Sequence, residues 1–286
     1  MPDNVACLKE MIRACRLCPR ACGVDRTAGQ RGSCGVGDQA IISSVGPHFG
    51  EESCLVGPGG SGAIFFAGCN LHCVFCQNAE ISQCTAGQPV SPEELAEMAL
   101  DLERRGCQNV NFVTPTHVTH AVAEAIVLAR RKSLRIPVVY NCSGYESLET
   151  IRCLDGLIDI YMPDFKWGDE QAARKYSQAP DYPAVAAAAL TEMFHQVGRA
   201  EINGQGVMVH GLLVRHLVLP GDLAHSRTVL DTVARIAPGC AINVMDQYRP
   251  CHHADRFPEL LVRPPTEEVG ALRQYAQRRG LIRADV

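Results

Sequence analysis

The sequence predicts an α/β fold built on a parallel sheet, and two observations lead there. From residue 63 onward, short and continuously apolar runs rich in β-formers recur, and each is followed by a stretch with helical caps and helical periodicity. Strands buried on both faces read as unbroken apolar runs, and a parallel return between them needs a long crossover, usually a helix. The candidate strands are AIFFAG (63–68), NVNFVT (109–114), PVVYNC (137–142), LIDIYMPDF (157–165), GLLVRHLVLP (211–220) and AINVM (241–245). The first helix, SPEELAEMALDLERRG (91–106), carries the clearest signals. Ser91 is its N-cap, Pro92 its first helical residue, Glu94 closes a capping box and Gly106 stops it. HAVAEAIVLARRKS, SLETIRCLDG, AVAAAALTEMFHQVG and RTVLDTVARIAPG follow, and PTEEVGALRQYAQRRGL closes the pattern. About six βα units suit either an incomplete barrel or an open doubly wound sheet. In both, chemistry belongs at the C-terminal ends of the strands. Cys69, Thr114, Asn141, Asp164, Lys166, Arg215 and His216 fall there.

Residues 1–62 read differently, as an irregular, Gly- and Cys-rich segment too poor in apolar residues to fold alone. The expected organisation is therefore a small N-terminal Cys-rich metal-binding module with a loop (1–62), then the α/β body with its C-terminal helix (63–286). With 47% hydrophobic and 20% charged residues, the chain reads as globular and not disordered. A net charge of −4 and a pI near 6.2 argue against a broad basic surface, so no nucleic-acid partner is expected. The N-terminus lacks the apolar core of a signal peptide, and runs such as AVAAAAL are too short to span a bilayer. The expectation is a cytoplasmic protein without a membrane partner.

That compartment is reducing, so fifteen cysteines are not a disulfide framework. They cluster at 7–34 and 54–84, which favours metal or iron–sulfur ligation. Cys107, Cys142, Cys153 and Cys240 stand singly and read as small buried hydrophobes. Cys69, Cys73 and Cys76 form a C-x3-C-x2-C run directly after the first strand. Thiolates suit zinc or iron–sulfur clusters, and three of them leave a fourth coordination position open. The alternatives are a zinc completed by His72 or a remote ligand, or three unligated cysteines in a core. A second set, Cys15, Cys18, Cys22 and Cys34, has C-x2-C-x3-C-x11-C spacing. Four thiolates can close a tetrahedral zinc or hold a cluster of their own, and Cys54 is a candidate substitute ligand.

The C-x3-C-x2-C run, with Phe75 before its last cysteine and a strand before its first, resembles the signature of the radical S-adenosylmethionine (SAM) superfamily. GPGGSGAIFFAGCNLHCVFCQN, VVYNCSGY, IDIYMPDFK and LLVRHLVLPG further resemble pyruvate formate-lyase activating enzyme and its uncharacterised relatives, some of which carry a similar Cys-rich leader. The resemblance spans roughly residues 55–250 and implies a partial (β/α)6 barrel with a 4Fe–4S cluster on Cys69, Cys73 and Cys76. The open iron would bind the amino and carboxylate groups of SAM. One electron would cleave SAM to methionine and a 5′-deoxyadenosyl radical that abstracts a hydrogen atom.

By the same resemblance, Asn141 and Ser143 reach the SAM sulfonium and ribose. Asp164 and Lys166 match a D-x-K motif near its carboxylate, and Arg215 pairs with that carboxylate. The family's Gly-Gly-Glu-like segment corresponds here to NFVTPTHVT, which has no Glu, so Thr114 and Thr116 or backbone carbonyls would receive the methionyl amine. The N-terminal quartet would hold a second 4Fe–4S cluster or zinc. Implied partners are a reductant such as flavodoxin or ferredoxin and a protein or peptide substrate, including the glycine of a glycyl-radical enzyme. MDQYRPCHHADRFP (245–258) is either a polar loop or the substrate mouth, with Tyr248 or Cys251 as hydrogen-atom donor. A cluster protein that only carries electrons, or a zinc-stabilised scaffold, would not need the cavity that polar strand ends imply.

Overall fold

The computed structural model of the chain describes residues 2–83 and 86–284, so Cys84 of the second cysteine cluster lies outside the described residues. The strands are β1 Ala40–His48, β2 Ser61–Phe66, β3 Gln88–Val90, β4 Val110–Val113, β5 Val138–Cys142, β6 Ile160–Pro163, β7 Glu201–Ile202, β8 Met208–Leu217, β9 Ala241–Met245 and β10 Ile282–Arg283. The helices are α1 Pro2–Met11, α2 Ser53–Val56, α3 Ala79–Ser82, α4 Pro92–Arg104, α5 Thr119–Arg131, α6 Leu148–Arg152, α7 Glu170–Ser177, α8 Tyr182–Val197, α9 Ser226–Ile236 and α10 Thr266–Arg278. No helix among the described residues is long and apolar enough to cross a membrane.

Strands β2, β4, β5, β6, β8 and β9 lie side by side in chain order and pair in parallel. Every crossover thus moves one way along the sheet, with no reversal of strand order of the kind a doubly wound sheet has. The open alternative resolves to a partial (β/α)6 barrel. β10 extends it in parallel beside β9, while β1 adds antiparallel to β2, and β3 antiparallel to β1. The capping box of α4 is formed as the sequence predicts: Glu94 N–H donates to Ser91 Oγ at 3.2 Å, and Ser91 N–H to the Glu94 carboxylate at 2.7 Å.

Several elements depart from the sequence reading, among them α1 and α2 within residues 1–62 and the short strands β3, β7 and β10; β1 and α7 show why. Residues 40–48, expected to be irregular, form β1. Its Pro47 sits beyond the stretch that β3 pairs (Ala40–Ile42), so the missing N–H of proline costs no ladder bond on that side. Helix α7 lacks an apolar run; Asp169 caps it by accepting from Ala172 N–H at 2.8 Å, and Ala172, Ala173 and Tyr176 pin one face.

The strand period of two separates the faces of the sheet. Val138, Tyr140, Tyr161, Leu212 and Val214 join the large core beneath the helices. Val139, Ile160, Met162, Leu213 and Ala241 point the other way and form a second apolar cluster inside the barrel. Leu55 of α2, fully buried, completes that cluster, so the segment before β2 enters the barrel and plugs its lower half. Leu55→Ala should therefore lower unfolding free energy by about 2–5 kcal/mol, read as a lower denaturant midpoint. Leu261→Ala, at an exposed position, should stay within about 0.5 kcal/mol.

Candidate functional site

Counting by twos from the apolar floor, the inward-facing positions continue to Asn141 on β5, Asp164 after β6, Arg215 on β8 and Asn243 on β9. Asp164 and Arg215 are themselves a parallel bridge that carries the β6–β8 pairing beyond the strand end. Above the floor opens a cavity of about 250 Å³, lined by Cys69, Cys73, Cys76, Thr114, Asn141, Ser143, Asp164, Lys166 and Arg215 among others.

The polar wall is one connected network. Arg215 donates from Nε to Asp164 at 2.8 Å and from Nη2 to Asn141 Oδ1 at 2.7 Å, while Lys166 Nζ donates to the other Asp164 oxygen at 2.5 Å. Burial opposes ionisation of Asp164, but Arg215 and Lys166 outweigh it and hold the carboxyl below its usual range. Burial likewise disfavours the Lys166 cation, yet Asp164 raises it to about 12. Glu51 Oε2 lies 3.4 Å from Arg215 Nη1. Burial pushes Glu51 up to about 7 against the pull of Arg215, with Glu52 adding repulsion.

The loop after β2 presents the three thiols. Cys69 Sγ accepts from Leu71 N–H at 3.4 Å, Cys73 Sγ lies 3.1 Å from Ser177 Oγ, and Cys76 Sγ lies 3.2 Å from Ser82 Oγ. Ser177 Oγ also accepts from Trp167 Nε1 at 2.9 Å, which leaves its own proton for Cys73. Burial pushes Cys69 up to about 12 and raises Cys73, so thiolates here need a positive partner. Among the described residues no three His, Cys, Asp or Glu side chains close around one metal ion. A four-iron cluster does not require that, because each thiolate binds a different iron. Three soft donors bordering one cavity, two of them beside hydroxyls, fit such a group.

Several sequence-predicted residues stand elsewhere. Thr116 does not line the cavity; its buried hydroxyl donates to Glu146 at 2.6 Å. Thr114 does line it, with a left-handed backbone (φ 60°) uncommon for a β-branched residue, and its N–H donates to Asn141 O at 2.8 Å. His72 uses both ring nitrogens, on Ser33 Oγ (2.9 Å) and Gln83 Oε1 (3.0 Å), so it does not complete a zinc site. His216 has the outward strand phase and is held by Phe165 O and Ser226 Oγ. Tyr248 is buried, donates to Leu260 O at 2.7 Å and packs edge-on against Phe75; of the stretch 245–258, Met245 and Gln247 line the cavity. Cys107, Cys142 and Cys240 are buried as expected, whereas Cys153 is only half-buried.

The N-terminal cysteines abut this loop. Cys18 has Cys34 and Cys15 among its electrostatic neighbours, and Cys34 has Cys15 and Cys22. The fully buried Arg26 guanidinium lies 3.9 Å from Cys15 Sγ and donates to His117 O at 2.6 Å. Arg20 donates to Asn70 O at 2.8 Å, beside Cys69, and to Gln178 O at 2.5 Å. Gly68 (φ 87°) leaves room for this contact, since a Cβ there would meet Cys34 O at 2.7 Å.

The family model described as "Radical SAM superfamily" matches residues 63–214, from β2 into β8. The chain belongs to the radical SAM superfamily. It is therefore an enzyme of SAM-dependent radical chemistry, with a 4Fe–4S cluster and SAM as its cofactors. It is 30% identical to an uncharacterised protein of Methanocaldococcus jannaschii, over 97% of this chain and 78% of that one. A second uncharacterised protein of the same organism is 26% identical over 60% of this chain and 54% of its own length. Among solved structures it is similar to the cobalamin-dependent SAM radical enzyme OxsB with aqua-cobalamin bound (TM-score 0.40, 12% identity), covering 72% of this chain and 29% of that one.

Sequence reasoning missed Glu51, Glu52 and Ser177. The first two sit in a polar stretch between glycines that looked like loop, and a serine at the end of a charged helix carries no signal. It also missed Glu146, fully enclosed, accepting from Thr116 and from Tyr140 at 3.2 Å. Burial raises its carboxyl from 4.5 to about 7, those donors pulling the other way. The folded state thus holds a proton that the unfolded chain releases. The stability this contributes is complete below pH 4.5 and lost as pH rises through about 7. Glu146→Gln stays neutral, so its melting temperature relative to the parent should climb between about pH 5 and about pH 8, checked by thermal melts across that range.

Proposed function

We propose that Cys69, Cys73 and Cys76 hold the 4Fe–4S cluster of this radical SAM enzyme, and that Thr114, Asn141, Ser143, Asp164, Lys166 and Arg215 receive SAM beside it. The supporting observation is that the three thiols and the Arg215–Asp164–Lys166 network border one cavity at the strand ends. When bound, the cluster supplies the electron that splits SAM into methionine and a 5′-deoxyadenosyl radical for hydrogen abstraction. The protein's part is positional. Arg215 offers a planar guanidinium suited to a carboxylate, already oriented by Asp164 and Asn141. Thr114 turns its backbone at the place where relatives carry Gly-Gly-Glu. Thr116 is left out, its hydroxyl being committed to Glu146.

Within the superfamily, the reading favoured by the resemblance of residues 55–250 is an activating enzyme-like oxidoreductase that takes hydrogen from a glycine Cα of a partner protein, reduced by a flavodoxin or ferredoxin. The alternative is modification of another peptide, protein or small molecule. Cys15, Cys18, Cys22 and Cys34 are proposed as a second thiolate site for a 4Fe–4S cluster or zinc. Support comes from their mutual proximity and the buried Arg26 cation beside Cys15.

Reduced anaerobically with SAM, the protein should form 5′-deoxyadenosine, measured by chromatography. The Cys69→Ala/Cys73→Ala/Cys76→Ala variant should form none and lose about four irons per chain, while keeping whatever metal the N-terminal quartet holds. Full activity or unchanged iron in that variant would refute the assignment.

A second expectation concerns Ser177. Hydrogen bonds to cluster sulfurs raise the reduction potential, so Ser177→Ala should make the cluster harder to reduce. A redox titration would register a more negative midpoint, and an unmoved midpoint would detach Ser177 from the cluster.

A further inference from the structure

A second cavity of about 290 Å³ adjoins the first, sharing Arg215 and Gln247 with it and lined otherwise by Glu51, Glu52, Ser53 and Asn243. Its floor is the segment that leads into the α2 plug, so the carboxylates come from outside the six βα units and enter the barrel from below. Both are enclosed: the side chains of Glu51 and Glu52 are 8% and 4% exposed. Asn243 Nδ2 donates to Glu52 Oε1 at 3.0 Å, but Glu52 Oε2 has no hydrogen-bond partner and lies 4.0 Å from Arg215 Nη1. A buried carboxylate oxygen left without a donor costs free energy unless something fills that role.

Glu51, Glu52 and Asp164 face only Arg215 and Lys166, and Lys166 is held by Asp164. Two cations match three carboxyls only while Glu51, pushed up by burial and by Glu52, keeps its proton. Arg215 spends Nε on Asp164 and Nη2 on Asn141, leaving Nη1 as its contact with the two glutamates, the nearer at 3.4 Å. An anionic ligand would have to face two enclosed carboxyls, whereas a protonated amine would let both ionise and would supply a donor to Glu52 Oε2. If SAM's carboxylate engages Arg215, as proposed above, the glutamates lose part of that partner and a deficit of positive charge opens beside them.

We propose that Glu51, Glu52 and Asn243 form the substrate subsite of this enzyme, and that it takes a primary ammonium group of the substrate next to bound SAM. This rests on the SAM-site reading above and names the chemical class of what lies beside it. The ammonium would donate to the free Glu52 oxygen and to Glu51, placing the neighbouring carbon atoms of the substrate toward the shared wall of Arg215 and Gln247.

The test uses two probes of equal length, butylammonium and butyrate, titrated into the anaerobically reconstituted full chain with saturating SAM and followed by ligand-observed NMR. Butylammonium should bind saturably and butyrate should not. In Glu51→Gln/Glu52→Gln the butylammonium affinity should fall at least about tenfold, the scale for losing charge-assisted hydrogen bonds. If that variant does not fold, the contrast between probes on the unmodified protein still decides. No saturable binding, equal binding of butyrate, or an affinity unchanged in the variant would overturn the proposal. So would displacement of butylammonium by SAM, which would assign the carboxylates to SAM's own amino group. Binding is read without turnover, so absence of 5′-deoxyadenosine from the unmodified protein would count separately, against the radical reading.

Discussion

The site depends on one buried ion pair, Arg215 with Asp164. Both side chains point into the barrel beyond its apolar floor, where a charge needs a partner. Without Asp164, Arg215 would keep only Asn141 and the more distant glutamates, and without Arg215 the two glutamates would have no cation beside them. From this contact the other polar groups take their positions. Asn141 accepts from the guanidinium, Lys166 closes on the far oxygen of Asp164, and Glu51 approaches the last face of Arg215. Tyr182 strengthens the frame from the helical side, donating to the backbone of Ser143 and Asp164 at 2.8 Å each and accepting from Lys166 N–H. The strand ends are thereby stitched into one rim, to which the cysteine loop is joined through Asn70, Ser143 and Tyr145.

Much of this was legible because the signals are local. Six apolar runs became the six parallel strands, and Ser91 and Glu94 formed the cap their spacing required. The period of two also held the answer for His216, one residue out of phase with Arg215, which faces Ser226 and not the cavity. What escaped the sequence is non-local. β1 takes its stability from pairing with β2 and β3, not from its own pattern, and α7 from tertiary packing of three residues. Thr116 and Thr114 are two residues apart with the same side chain, yet only a turn at Thr114 decides which one opens to the cavity. Glu51 and Glu52 could not be read at all, since nothing in GEESC announces a β1–β2 connection that packs into the barrel.

The N-terminal region thus has two distinct jobs. Its first part packs its cysteines and Arg20 against the loop that carries Cys69, and His72 reaches back to Ser33. Its last part closes the barrel with Leu55 and raises two carboxylates beneath Arg215. Parts of the segment 1–62, irregular in composition, therefore border the site from above and below. The βα units supply the walls, and the preceding segment supplies the floor.

The central claim is that three thiols leave one cluster iron open to SAM in this cavity. The most direct measurement is the low-temperature EPR spectrum of the reduced protein before and after SAM, with 15N-labelled amino nitrogen examined by electron–nuclear double resonance. The account predicts a changed spectrum and a resolved 15N coupling, both absent when Cys69, Cys73 and Cys76 are replaced. A spectrum indifferent to SAM, in protein that carries its full iron, would contradict it.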